Sequence, residues 1–149
     1  MQRARILIVD DHEIFRQGLR SLIEPLEQFE ICGEAANGYE AIEKAKSLQP
    51  DVVLMDISMP QIDGLQATRI IRSEVPRCRI VILSQHDSAH MLSVALKAGA
   101  SAYVTKSQVA RSLLAALDGV VHRRQFNWNG EEAIESSQLL GADAEVETD

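Results

Sequence analysis

Arg5-Ile6-Leu7-Ile8-Val9-Asp10-Asp11 is the stretch whose reading decides the architecture. Its four central residues are apolar at odd and even positions alike, so both faces of the strand must be covered, as in a parallel sheet sandwiched between helices. The strand stops at two acids. The next apolar residues, Ile14, Phe15, Gly18, Leu19, Leu22 and Ile23, fall on one helix face. The same couplet recurs along the chain. Strands are expected at Phe29 to Ala35, Val52 to Met55, Arg79 to Ser84 and Ala102 to Val104, and helices at Gly38 to Leu48, Leu65 to Glu74, Ser88 to Ala98 and Ser107 to Arg123. Breakers stand at the joints: Pro50 before the third strand, Pro60 and Gly64 after it, Pro76 before the fourth, and Gly99 closing the fourth helix. The reading is an α/β fold of five βα units, a doubly wound parallel sheet.

The 149 residues, 46% hydrophobic and 25% charged, suit one domain with its own buried core. The net charge of −7 is unevenly placed. Residues 1–124 hold 15 basic and 15 acidic side chains, whereas 125–149 hold seven acids and no base. The domain is therefore expected over 1–124, followed by an acidic tail or linker at 125–149 that is largely disordered, with helical capacity at Glu131 to Leu140 and with Phe126 and Trp128 available to dock on the domain. A near-neutral domain without a basic stripe gives no electrostatic footprint for nucleic acid, so no direct DNA binding is expected. No apolar run approaches the roughly 20 residues that cross a bilayer, and no apolar signal-peptide segment opens the chain, so the expected location is the cytoplasm and no membrane partner is expected. Cys32 and Cys78 lie in apolar segments far from each other and are read as buried free thiols.

Ligands of open parallel sheets collect in the crevice at the carboxyl ends of the strands, near the switch in strand order. Those ends carry Asp10-Asp11 after the first strand, Asp56 after the third, Ser84 on the fourth and Lys106 after the fifth. Crowded carboxylates repel one another unless a cation compensates, and hard oxygen ligands suit Mg²⁺, with Mn²⁺ as the alternative ion. Asp56 is then placed as a nucleophile toward a phosphoryl group, with Ser84 and Lys106 binding its oxygens. Taken singly, each residue has an ordinary reading: the Asp pair caps the following helix, Ser84 closes a turn, and Lys106 is a solvated surface lysine. Their conjunction at successive strand ends favours the chemistry. His86 and His90, four apart, lack a third ligand at matching spacing and are read as a solvated helix start.

The runs Ile6-Leu7-Ile8-Val9-Asp10-Asp11-His12, Val53-Leu54-Met55-Asp56-Ile57-Ser58-Met59-Pro60 with Asp63-Gly64, Ile82-Leu83-Ser84, and Gly99-Ala100-Ser101-Ala102-Tyr103-Val104-Thr105-Lys106 together resemble a CheY-like receiver domain over about residues 4–123. Asp11-His12, Gly33-Glu34-Ala35, Asn37-Gly38 and Lys106-Ser107 resemble receivers of the NarL/FixJ class of two-component response regulators. The resemblance implies a flavodoxin-like (βα)5 sheet in the order 2-1-3-4-5. It implies Asp56 as the phosphoacceptor, Mg²⁺ on Asp11, Asp56 and the backbone carbonyl of Ser58 with Asp10 helping through water, and Ser84 and Lys106 on the phosphoryl group. Ser84 and Tyr103 are the implied switch pair, the tyrosine turning from exposed to buried on phosphorylation. Ser58 and His86 stand where the lifetime of the phosphoryl group is influenced. The implied partners are a sensor histidine kinase, a downstream protein partner and, on phosphorylation, a second copy in a homodimer. Ser107 replaces the proline that commonly follows the lysine, which argues against a cis peptide there, and Gln85 is larger than the residue often found beside the serine.

Two other classes share parts of this pattern. A Mg²⁺-dependent phosphatase or phosphotransferase would also use an Asp nucleophile at a strand end, but this chain has no inserted cap and no second acid two positions after Asp56. A pseudo-receiver serving only as a binding module would be expected to lose part of the acidic pair, Asp56 or Lys106, and all are present. The domain is read as self-directed in its chemistry and not as a turnover enzyme. Its output is read as either that of a stand-alone receiver or that of a receiver fragment of a helix-turn-helix transcription regulator.

Overall fold

The computed structural model describes residues 3–86 and 88–122. Along them run β1 (Ala4–Val9), α1 (Glu13–Ile23), β2 (Phe29–Ala35), α2 (Gly38–Leu48), β3 (Val52–Asp56), α3 (Gly64–Glu74), β4 (Arg79–Ser84), α4 (Ala89–Lys97), β5 (Ala102–Thr105), a single 3₁₀ turn (Lys106–Gln108) and α5 (Val109–Val121). All strand pairs are parallel, in the order β2-β1-β3-β4-β5. The expected tail at 125–149, with Phe126 and Trp128, lies outside the described residues.

Strand alternation divides the core into two layers. Leu7, Val9, Val53, Met55, Ile80, Ile82 and Tyr103 face α2, α3 and α4, meeting Ala41, Ala45, Ala67, Ile71 and Ala95. Ile6, Ile8, Leu54, Val81, Leu83 and Val104 face α1 and α5, meeting Leu19, Ile23, Leu113, Leu117 and Val120. Every side chain from Ile6 to Val9, Val52 to Met55 and Ile80 to Leu83 is fully buried, and each Leu or Ile so placed contributes about 1.5–3 kcal/mol.

Local chemistry sets the helix ends. Asn37 accepts the Glu40 N–H while Glu40 accepts the Ala36 N–H, a reciprocal cap that starts α2. Asp63 accepts from Gln66 to start α3, and Ser88 accepts from Met91 to start α4. The fifth helix departs from expectation: Lys106 to Gln108 wind as a 3₁₀ turn, so α5 begins at Val109 instead of Ser107. Of the two free thiols, Cys78 is buried as expected, but Cys32 is only half-buried because edge strand β2 has a neighbour on one side alone. The Lys106–Ser107 peptide is trans, as the serine suggests. No helix among the described residues is long and apolar enough to cross a membrane.

Candidate functional site

Strand register assembles the site. Val9 pairs with Met55, so the next residues, Asp10 and Asp56, emerge side by side from β1 and β3 where the order of winding reverses. Asp56 pairs in turn with Leu83, and Ser84 with Thr105, so the ends of β4 and β5 complete the rim. Carboxylate oxygens of Asp10, Asp11 and Asp56 and a ring nitrogen of His12 lie within 4.8 Å of one another. Lys106 Nζ stands 2.8 Å from Asp10 Oδ2 and 3.4 Å from Asp56 Oδ1. Its side chain is 11% exposed and its ammonium sits 4.4 Å from the centroid of the Phe15 ring, so it is a bridging cation and not a solvated surface lysine.

The acid pair does not cap α1. The N-cap is His12, whose side chain makes no capping bond, while Asp10 Oδ1 accepts the His12 N–H at 2.8 Å and Oδ2 takes Lys106. Asp56 Oδ1 accepts the Ser58 N–H at 3.2 Å, and Asp56 Oδ2 is buried with no hydrogen-bond partner among the described residues. Burial, together with the charge of Asp10, raises the Asp56 carboxyl from 3.8 to about 6, against the opposing pull of Lys106 and the Ser58 N–H.

Two arginines brace the acidic loop. Arg16 donates to the backbone carbonyl of Asp10 at 2.5 Å and to Glu34 at 2.8 Å, and Arg20 reaches the other oxygen of Glu34 at 2.5 Å. Burial alone would raise the Glu34 carboxyl, but these hydrogen bonds hold it below its ordinary value. Sequence reading did not find Arg16, Arg20 or the lysine seat on Phe15. The available signal was that helical side chains lean toward the N-terminus of their helix, which points Arg16 back at the loop.

Ser84 is fully buried and its Oγ accepts the His86 N–H at 3.0 Å, so the ordinary turn reading of this serine also holds. Tyr103 is fully buried, its hydroxyl donating to the His86 carbonyl at 2.6 Å. The backbone of His86 thus engages both expected switch residues, and the tyrosine already points inward. Tyr103→Phe is expected to cost about 1 kcal/mol, read by urea denaturation, because it leaves that carbonyl short of a donor. The exposed side chains of Ser58 and His86 line one open cleft with Asp11, Met59, Pro60 and Met91. His90 is exposed on α4, and neither histidine belongs to a metal-ligating cluster among the described residues.

The family model described as response regulator receiver domain matches residues 6–118. The chain belongs to that family. The transcriptional regulatory protein LnrK of Bacillus subtilis (strain 168) is 40% identical to this receiver over 113 residues, covering 76% of this chain and 51% of LnrK. A two-component response regulator of the LuxR family from Aurantimonas sp. SI85-9A1 superposes with a TM-score of 0.81 at 34% identity, covering 99% of this chain and all of that one. The isolated receiver domain of RcsB from Salmonella enterica serovar Typhimurium, solved in the presence of the phosphomimetic BeF3-, superposes with a TM-score of 0.79 at 25% identity, covering 87% of this chain and 96% of its own. The receiver spans about half the length of the curated relatives it matches. It is a receiver domain of the two-component response regulators.

Proposed function

We propose that Asp56 accepts a phosphoryl group from the phosphohistidine of a sensor histidine kinase and that the domain, taken as residues 1–124, passes the change to a downstream partner. The observation that carries this is Asp56 Oδ2: a buried carboxylate oxygen with no partner among the described residues, flanked by one ammonium and two further carboxylates. A buried acceptor left unsatisfied is costly, so such an atom marks a place prepared for a group that arrives later.

The donor set fits Mg²⁺. All but His12 offer hard oxygens, and Asp11, Asp56 and the Ser58 carbonyl would hold the ion, with Asp10 behind them. The ion would supply charge neutralisation and a fixed seat for a phosphoryl oxygen. The chain's own residues do the rest. Asp56 forms the O–P bond as the P–N bond to the kinase imidazole breaks. Lys106, already held between Asp10 and Asp56, offsets charge on the phosphoryl oxygens. Ser84 reaches the phosphoryl group by releasing the His86 N–H, which loosens the same backbone that holds Tyr103. Loss of the group to water through the cleft at Ser58 and His86 resets the domain, so the chemistry is self-directed and suits the cytoplasm, where a kinase phosphohistidine is available. The RcsB receiver solved with a phosphomimetic supports the reading by likeness.

One observation favours a second reading of the output. The curated relatives are transcriptional regulatory proteins about twice as long as the matched region. In a chain so extended, the phosphoryl state would govern a helix-turn-helix DNA-binding part instead of a separate partner.

Intact-mass spectrometry after incubation with acetyl phosphate tests the chemistry. A phosphoryl adduct that needs Mg²⁺ and is absent from Asp56→Asn is the expected result. No adduct in any condition, with beryllium fluoride also failing to bind, would leave a pseudo-receiver.

A further inference from the structure

Among the described residues His12 is the one imidazole in the ring of carboxylates, and it stands at the mouth of the site. Its backbone N–H donates to Asp10 Oδ1 at 2.8 Å, which fixes the residue beside the acids. Its Nδ1 lies 3.3 Å from Asp10 Oδ1 and 3.1 Å from Asp11 Oδ1. The ring does nothing for α1, which it precedes as N-cap without a side-chain capping bond. A hydrogen bond accounts well for one of those two approaches, because a ring nitrogen carries at most one hydrogen. A shared ion accounts for both: metal–ligand bonds of about 2.0–2.2 Å place neighbouring ligand atoms roughly 3.0–3.5 Å apart. A carboxylate oxygen of Asp56 completes the set within 4.8 Å. The buried Asp56 Oδ2, with no hydrogen-bond partner among the described residues, is an independent sign that a group is received here.

We propose that His12 makes this a metal site of two classes. Beside Mg²⁺, it takes borderline divalent ions of the Zn²⁺ and Co²⁺ kind, with His12 Nδ1 and carboxylate oxygens of Asp10, Asp11 and Asp56 as ligands. Imidazole suits such ions, whereas Mg²⁺ keeps to oxygen and retains several waters. The imidazole and the carboxylates together offer a zinc-type ion a full set of protein ligands. The His12 ring, 67% exposed, meets that ion from the solvent side. Both classes share the same acids, so a borderline ion competes with Mg²⁺ for the domain, and His12 sets the balance between them. The inference rests on the divalent site proposed above and assigns one further ligand to it.

Calorimetric titration of the full chain with Co²⁺ and, separately, with Mg²⁺ tests it, in the parent and in His12→Ala, His12→Gln and His90→Ala. Contacts that only support a ligand are worth roughly 10–100-fold in metal affinity. Both His12 variants are therefore expected to bind Co²⁺ tenfold or more weakly, and to keep Mg²⁺ affinity within about threefold, since Mg²⁺ does not draw on nitrogen. Glutamine decides between ligand and hydrogen-bond donor, because it keeps an N–H for the acids and offers no imidazole. In the parent, Co²⁺ shifts the His12 ring signals in the proton NMR spectrum, and excess Mg²⁺ reverses the shift. Circular dichroism confirms that these exposed variants stay folded. Equal Co²⁺ affinity in the parent and His12→Gln would overturn the role of His12 while leaving the Mg²⁺ site intact. So would a loss that follows His90→Ala instead, which would mean that the ion sits on exposed α4. A parent that binds neither ion would overturn the divalent site itself and this inference with it.

Discussion

Asp56→Asn will make the metal-free domain more stable at pH 8, by about 2–3 kcal/mol, and the gain will vanish below about pH 4. Burial and the neighbouring Asp10 raise the folded-state carboxyl from 3.8 to about 6. The folded domain therefore holds the Asp56 proton more tightly than the unfolded chain does. The stability that this proton contributes is fully present below pH 3.8 and is lost as pH rises through about 6, above which a buried charge is a standing cost. Asparagine is neutral throughout and escapes that cost, less the smaller penalty of burying an amide. Lys106 keeps Asp10 as its partner in the variant. Urea denaturation of both proteins in EDTA from pH 3.5 to 8 reads the difference directly, and other groups titrating alike in both cancel. Stability curves that run parallel across that range would show that Asp56 titrates normally.

A larger loss is expected from one methyl group. A Cβ on Gly64 would stand 2.2 Å from the carbonyl oxygen of Asp56 and 2.8 Å from the Cα of Ile57, both backbone atoms. Neither can rotate away, so the first turn of α3 must withdraw from β3, carrying the Gly64 N–H off the Ile57 carbonyl. Gly64→Ala is expected to cost roughly 3 kcal/mol or more and to lower phosphoryl incorporation at Asp56 as well. Gly18→Ala is the control: an added Cβ meets nothing within 4 Å in mid-helix, so it should gain about 0.5–1 kcal/mol. Equal melting temperatures for Gly64→Ala and the parent would contradict the packing described.

The fold was legible because apolar runs and helical spacing are separately strong in this chain. The expected β2 and β4 match the observed strands at both ends, and β1, β3 and β5 each differ by one residue at one end. The site was legible because Asp10, Asp11, Asp56, Ser84 and Lys106 all stand where a strand ends, a position that sequence punctuation reports. What sequence did not convey was direction and support. The inward rotamer of Tyr103 depends on a backbone carbonyl 17 residues away, and the seat of Lys106 depends on Phe15, 91 residues away, neither of which leaves a local pattern. Arg16 joins Asp10 to Glu34 across two elements, and as a lone basic residue on α1 it reads as a solvated charge. The 3₁₀ turn after Lys106 went unseen because a tight turn and an α-helix draw on the same residues.

The order of strands also governs how the protein can be made. β1 waits for β3 before its second edge is covered, and from there each new strand pairs with the one synthesised just before it. A nascent chain that has reached Pro76 therefore displays Val52–Asp56, wholly apolar but for its last residue, as a bare ladder edge until Arg79–Ser84 emerges. Stalled translation in that window would leave this apolar edge open to other chains. Asp56 ends the strand left open in that window, and the sheet is finished only when Ala102–Thr105 pairs with Arg79–Ser84.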